Sequence, residues 1–254
     1  MWKRLCISLL AAGFLAGCTV KEDRAECPCR LSVLIVDERE EKGPLTFAIS
    51  GGQTILEERF SGGAAQLQDD FEIPRGMWQS YVYSGLSAGR LQGAVARIPE
   101  GMPSDPLYAG AAVLDATGEE LSSRLGLHKQ YAAVTLDLRE FVASPEGVEL
   151  VAEGNVNGLD LALLAPVEGR FECALEAVGD RVYRFLAPRQ RDNSLALQIR
   201  LPREPAYSFP LGVAMAEAGF DWTAPDLKDM TLVMSLTQLE FGIDVRAWEE
   251  VGVN

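Results

Sequence analysis

A two-residue hydrophobic period, broken again and again by turn chemistry, constrains this chain more than any other feature. Its clearest instance is Ser194-Leu195-Ala196-Leu197-Gln198-Ile199-Arg200-Leu201, where the four aliphatic residues fall on one face of an extended segment. A helix, with its period of about 3.6 residues, would scatter them around its surface. Gly51-Gly52, Gly62-Gly63, Pro74-Arg75-Gly76 and Pro99-Glu100-Gly101 supply what tight turns need. The pattern predicts strands over 31–36, 45–49, 54–60, 66–73, 78–86 and 91–98. A second series follows over 131–138, 148–154, 159–164, 171–177, 182–187, 195–201, 231–236 and 239–245. One stretch, 211–218, reads as a helix, with Pro210 suited to the first turn and Gly219 to the C′ position. The expected class is all-β and antiparallel, with one short helix in the second series.

Between Pro103 and Leu127 no strand pattern stands out, and Ser104-Asp105-Pro106 and Gly118-Glu119-Glu120 mark breaks. The expected division is therefore an N-terminal sandwich over 27–125 and a C-terminal one over 126–254, each of ordinary size for such a fold. Within 78–86, Trp78, Ser80, Val82, Ser84 and Leu86 share one face, and Gln79, Tyr81 and Tyr83 the other.

The first residues belong to neither sandwich. Lys3 and Arg4, an apolar run over 5–15 and then small residues form the three-part plan of a secretory leader over 1–17. The run is too short to span a bilayer, which takes roughly 20 apolar residues. Leu15-Ala16-Gly17-Cys18 matches the bacterial lipobox: cleavage falls between Gly17 and Cys18, and the Cys18 thiol receives the lipid. An ordinary leader followed by an incidental cysteine is the alternative. Each buried CH₂ of an acyl chain adds about 0.8 kcal/mol, so a multiply acylated terminus anchors stably. Residues 18–26 then form a tether, in which Lys21-Glu22-Asp23 is either an export signal or plain solvated chain.

Charge narrows the partners. The chain carries 23 Lys and Arg against 37 Asp and Glu, a net of −14. Removal of Lys3 and Arg4 with the leader leaves 21 basic against 37 acidic groups, a net of −16. Such a field repels nucleic acid and anionic headgroups alike, so attachment to a membrane would rest on lipid alone.

Little in the sequence supports catalysis, a cofactor or a metal. His128 is the lone imidazole, with no G-x-S-x-G elbow to partner it. Asp69-Asp70 and Glu249-Glu250 are adjacent pairs, which point to opposite faces of a strand. Cys27-Pro28-Cys29 is too tight for an unstrained loop, while a bridge from Cys27 or Cys29 to Cys173 is permitted by an oxidising compartment. Free buried thiols are the other possibility. No small-molecule substrate is expected.

Several phrases together resemble the FimB-like minor fimbrial subunits of Bacteroidales, lipoproteins that anchor or accompany the type V pilus. They are the start from Cys18 to Cys29, Leu127-His128-Lys129-Gln130-Tyr131, Pro188-Arg189-Gln190 with Asn193-Ser194-Leu195, and Phe209-Pro210-Leu211-Gly212. The run from Gly219-Phe220-Asp221-Trp222 to Met230, and Val245-Arg246-Ala247-Trp248-Glu249-Glu250-Val251, complete the set. Trp222 and Trp248 read as core or lid aromatics.

The resemblance implies two tandem transthyretin-like, Greek-key sandwiches and assembly by strand exchange with a major fimbrial stalk subunit. It also implies a place at the outer membrane and the fimbrium, held by lipid at Cys18 and exposed at the cell surface. An anchor keeps its first strand, here 31–36, and 231–245 would supply or border a donor segment. Two alternatives stay open. Cleavage at Arg39 or Lys42 would make the chain a polymerising or tip subunit, and Trp78, Tyr81 and Tyr83 could instead serve a surface module that binds a glycan or host ligand.

Overall fold

The computed structural model describes residues 27–139, 147–200, 206–237 and 240–246. Its first strand, β1 (Cys29–Val36), buries Cys29, Leu31, Val33 and Ile35 on one face, as the two-residue period requires. On one side it pairs antiparallel with β4 (Gln66–Ile73), and on the other it runs parallel to β9 (Glu120–Gly126). Across from this three-stranded sheet lies a five-stranded one. Its order is β10 (His128–Lys129), β8 (Tyr108–Asp115), β5 (Met77–Ser84), β2 (Leu45–Ser50) and β3 (Thr54–Phe60). Leu31, Ile35, Phe47, Val82, Leu114 and Leu125 fill the space between the two sheets, each adding about 1.5–3 kcal/mol by burial.

A second pair of sheets follows. One has the order β14 (Glu176–Gly179), β15 (Val182–Pro188), β11 (Tyr131–Asp137), β18 (Met230–Thr237) and β19 (Glu240–Arg246). The other runs β17 (Tyr207–Phe209), β16 (Ala196–Arg200), β12 (Glu149–Asp160), β7 (Val95–Arg97) and β6 (Leu91–Gln92), with β13 (Ala165–Ala174) paired to β12. Leu136, Phe171, Phe185, Leu197 and Leu232 form their shared core, closed by Met215 of the helix α1 (Leu211–Glu217). Pro210 stands at the N-cap of α1, one residue before the first turn, and Gly219 takes the left-handed φ of 83° that suits a C′ glycine.

The two halves are clasped together. β6 and β7, from the first half of the chain, extend the β12 sheet of the second: Leu159 of β12 is paired with Ala96. A third apolar cluster lies along this seam. There Ala48, Tyr81 and Ala109, on the outer face of the β5 sheet, pack against Ala96, Leu159 and Leu161. Along this seam the middle of the sheet that carries β5 is thus covered on both faces.

The structure corrects three expectations. The stretch from Pro103 to Leu127, read as strandless, holds β8 and β9. β8 reads Tyr-Ala-Gly-Ala-Ala-Val-Leu-Asp and has apolar neighbours on both faces, so it shows no alternation. The strand expected over 91–98 is a tight hairpin turning at Gly93, whose φ is 60°. Expected strand 148–154 and the first two residues of 159–164 fall in one long β12, bulged on either side of Val156, while residues 161–164, expected as strand, form the turn into β13.

β8 and β9 meet at Gly110, where β8 cannot carry a side chain. A Cβ on Gly110 would stand 1.9 Å from the carbonyl oxygen of Gly126, so Gly110→Ala forces two strands apart. The expected cost is about 1–3 kcal/mol. Gly118→Ala meets only ordinary contact and should leave the melting temperature unchanged. Thermal unfolding followed by circular dichroism compares the two.

Candidate functional site

Two features stand out: the slot that β1 fills, and a groove at the end of the seam where the longest loops gather. The slot is a matter of backbone. Every residue of β1 from Arg30 to Val36 is in register with both neighbours, so removing β1 would leave facing rows of unpaired groups on β4 and β9.

Immediately after β1 the chain turns back through a buried ion pair. The Asp37 carboxylate, only 1% exposed, accepts hydrogen bonds from Arg39 Nε and Nη2, both at 2.7 Å. Arg39 Nη1 donates to Ser84 Oγ at 2.8 Å, and its guanidinium lies 5.0 Å from the centre of the Tyr108 ring. Burial pushes the Asp37 carboxyl up, but the hydrogen bonds and charge of Arg39 outweigh it, so the group ends below its ordinary value. Lys42 Nζ donates to the Arg39 carbonyl at 2.8 Å. The Arg39 side chain, read from sequence as exposed loop or protease target, is therefore 9% exposed and fully engaged.

Opposite lies a latch built from three of the phrases singled out in the sequence. His128 Nδ1 and Asp226 Oδ2 are 3.0 Å apart, and the Lys129 amide donates to Asp226 Oδ1 at 2.7 Å. Lys129 Nζ and the Ala133 amide share Asp229 Oδ1. Beneath them the buried Arg189 donates to Gln130 Oε1 at 2.8 Å, to the Trp222 carbonyl at 2.5 Å and to the Pro225 carbonyl at 3.0 Å. Burial lowers the Arg189 pKa from its ordinary value, while Asp226 and Asp221 oppose that fall. Asp226 also ends below the usual range, because bonds from His128 and Lys129 overcome the upward push of burial. The sequence marked these phrases but gave Asp37, Arg189, Asp226 and Asp229 no role. A charge on the residue directly after a strand, and acids spaced to meet His128-Lys129, were the available signals.

Between the ion pair and the latch runs a groove of about 1,530 Å³, lined by Arg39, Tyr83, Tyr108, Arg124, His128 and Tyr131. The Tyr108 and Tyr131 rings meet edge to face at 5.8 Å. Burial, with a hydrogen bond to Tyr108, raises the Tyr131 phenol well above its ordinary value. His128 is spent on Asp226, and among the described residues no three His, Cys, Asp or Glu side chains cluster as metal ligands.

Other sequence-marked residues scatter. Trp78 faces the first core, its ring against Gly51 and its Nε1 donating to the Pro74 carbonyl at 2.8 Å. Tyr81 is 1% exposed in the seam, and Tyr83 alone of the three reaches the groove, so they form no common platform. Cys27, Cys29 and Cys173 are free thiols, with Cys29 in the first core and Cys173 in the second; the permitted bridge is not made. Asp70 pairs with Arg30, and Trp222 is core, as expected. Gly17, Cys18, Trp248 and the Glu249-Glu250 pair lie outside the described residues.

No family model matches the sequence, and no curated protein matches it. Solved structures do. The fimbrial anchor protein Mfa2 from Porphyromonas gingivalis aligns at a TM-score of 0.60 and 13% identity, covering 87% of this chain and 98% of that one. A candidate adhesin from Bacteroides ovatus aligns at 0.63 and 10%, covering 88% and 96%. A candidate polysaccharide-binding protein from Bacteroides thetaiotaomicron aligns at 0.58 and 13%, covering 87% and 99%. The chain shares their fold over nearly their whole length.

The depressed carboxyls give the fold an acid limb. A carboxyl whose folded pKa lies below its unfolded value stabilises the fold above the usual carboxylate range, near pH 4, and loses that stabilisation as pH falls through the folded pKa. Melting temperature should therefore drop on acidification below about pH 4. Asp37→Asn strands the buried Arg39 charge and should cost about 3–5 kcal/mol at pH 7, with a flatter acid limb. Thermal melts between pH 7 and pH 2 measure both.

Proposed function

We propose that this chain is a lipid-anchored minor fimbrial subunit that attaches a type V pilus to the outer membrane and limits its length through strand exchange with the stalk subunit. In this reading residues 1–17 are the leader, Cys18 bears the lipid, 18–26 is the tether, and 27–125 and 126–254 are transthyretin-like, Greek-key sandwiches. The role is structural, and it places the protein at the cell surface and the fimbrium.

The observation that carries the reading is the filled slot. β1 is paired on both edges by strands of its own chain, so the slot between β4 and β9 offers no free edge to an incoming strand. A subunit built this way ends a chain of strand exchanges at that slot, as an anchor must. A polymerising subunit would have to lose β1 by cleavage beyond it, and Arg39, the first basic residue there, is locked against Asp37, Ser84 and Tyr108. The fold shared with a fimbrial anchor protein supports the same role.

Two measurements test it. Mass spectrometry of the surface-extracted protein should find an acylated N-terminus at Cys18; an N-terminus at Glu40 or Gly43 would overturn the anchor role. Cys18→Ala should release long fibres into the medium, and unchanged fibre length and retention would count against it.

A further inference from the structure

Close to where Cys27 joins the fold lies a cluster of exposed apolar residues. Met77 and Val113 are each 60% exposed and Leu163 is 64% exposed, and all three line one cleft of about 620 Å³ together with Trp78, Ala94 and Ala162. Isolated exposed apolar residues need no explanation, but a contiguous group does. Met77 and Val113 continue the outer face of β5 and β8, whose other residues, Tyr81 and Ala109, are covered by the second half of the chain. The strip therefore emerges from the seam uncovered. Asp160 is the one charged residue lining the cleft, and its Oδ1 accepts bonds from the amides of Ala162 and Leu163.

What covers the strip follows from where the described chain begins. Arg75 Nε donates to the Cys27 carbonyl at 2.8 Å, and Arg75 Nη1 to the Thr117 carbonyl at 3.0 Å. The tether's end is thus fixed two residues from Met77 and at the β8–β9 turn. Eight residues, 19–26, lie between Cys18 and Cys27, so this end stays within about 30 Å of an acylated Cys18 even when the tether is fully extended. Loops of the groove described above occupy the far end. A net charge of −16 offers no attraction to headgroups, which leaves apolar contact as the favourable surface term. Three side chains fall far short of the roughly 1,200 Å² that a specific protein interface buries, but they suffice for shallow interfacial contact.

We propose that Met77, Val113 and Leu163 form a membrane-resting face, which seats this end of the protein on the bilayer and points the seam groove away from it. The proposal rests on the reading of Cys18 as lipidated.

The lipidated chain carrying Cys27→Ser and Val113→Cys is labelled with the polarity-sensitive fluorophore NBD and reconstituted into phosphatidylcholine vesicles. Ser61→Cys, at the opposite end of the same sandwich, is the control. The label at 113 should shift to the blue, brighten at least about twofold and be quenched by brominated lipid, while the label at 61 should not respond. Leu163→Glu should remove most of the response at 113. If Val113→Cys fails to fold, Met77→Cys takes its place.

A label at 113 that behaves like the label at 61, on protein that stays with the vesicles, overturns the membrane-resting face and leaves the anchor intact. Protein recovered without acyl groups at Cys18 overturns the anchor, and the resting face with it.

Discussion

The centre of the sheet β10-β8-β5-β2-β3 is apolar on both faces, and the rest of the molecule is arranged around that demand. Its inner residues, Phe47, Val82 and Leu114, need the β4-β1-β9 sheet above them. Its outer residues, Ala48, Tyr81 and Ala109, need β7 and the end of β12 below. A sheet with one wet face could have stood alone; this one cannot leave either side to solvent without exposing a core's worth of apolar surface. The seam is therefore a third core, and it holds the two halves together more firmly than a polar interface would. Where cover from the second half runs out, the same sheet yields the groove at one end and the apolar strip at the other.

Charge does a different job in this fold. The protein is strongly acidic, yet three arginines are about nine-tenths buried, and each sits in a loop outside the strands. Arg39 closes the turn after β1, Arg90 meets Asp105 in the linker before β8, and Arg189 fastens the loop that leads into β18. Arg189 meets only neutral oxygens, so its burial is offset by three hydrogen bonds in the fork geometry of a guanidinium. The exposed pairs, such as Arg59 with Glu57, contribute little beside these.

The period-two strands were legible because one face of each meets a core. Thr54–Phe60 and Gln66–Ile73 run as the alternation and flanking turns predict, and β16 follows from Leu195 to Ile199. β8 was illegible for the opposite reason: with apolar residues on both faces and glycine required at 110, it carries no polar residue to mark a rhythm until Asp115. The slot and the latch lay deeper still. Nothing local in Cys29–Val36 tells a reader that its second neighbour is a parallel strand 90 residues away, since Arg30 pairs with Glu120. The phrases around His128, Arg189 and Asp226 were visible as phrases, but their meaning is a contact between three distant segments, and a single sequence records no contacts.

That parallel pairing bears on assembly. Neighbouring strands of a hairpin are joined by a short turn, and neither can leave without the other. β1 has no such turn to β9, and it reaches β4 only after β2 and β3 have been laid in the other sheet. It is therefore held by ladders and by the burial of Cys29, Leu31, Val33 and Ile35, not by connectivity. Under the proposed strand exchange, the slot would recognise its occupant by backbone and four apolar positions. In the proposed anchor the occupant is covalently continuous with the lipid tether, so the effective concentration of the native strand far exceeds that of any competitor. Tethering and slot-filling are then one device, and the Asp37–Arg39 turn that follows β1 fixes its register from the other end.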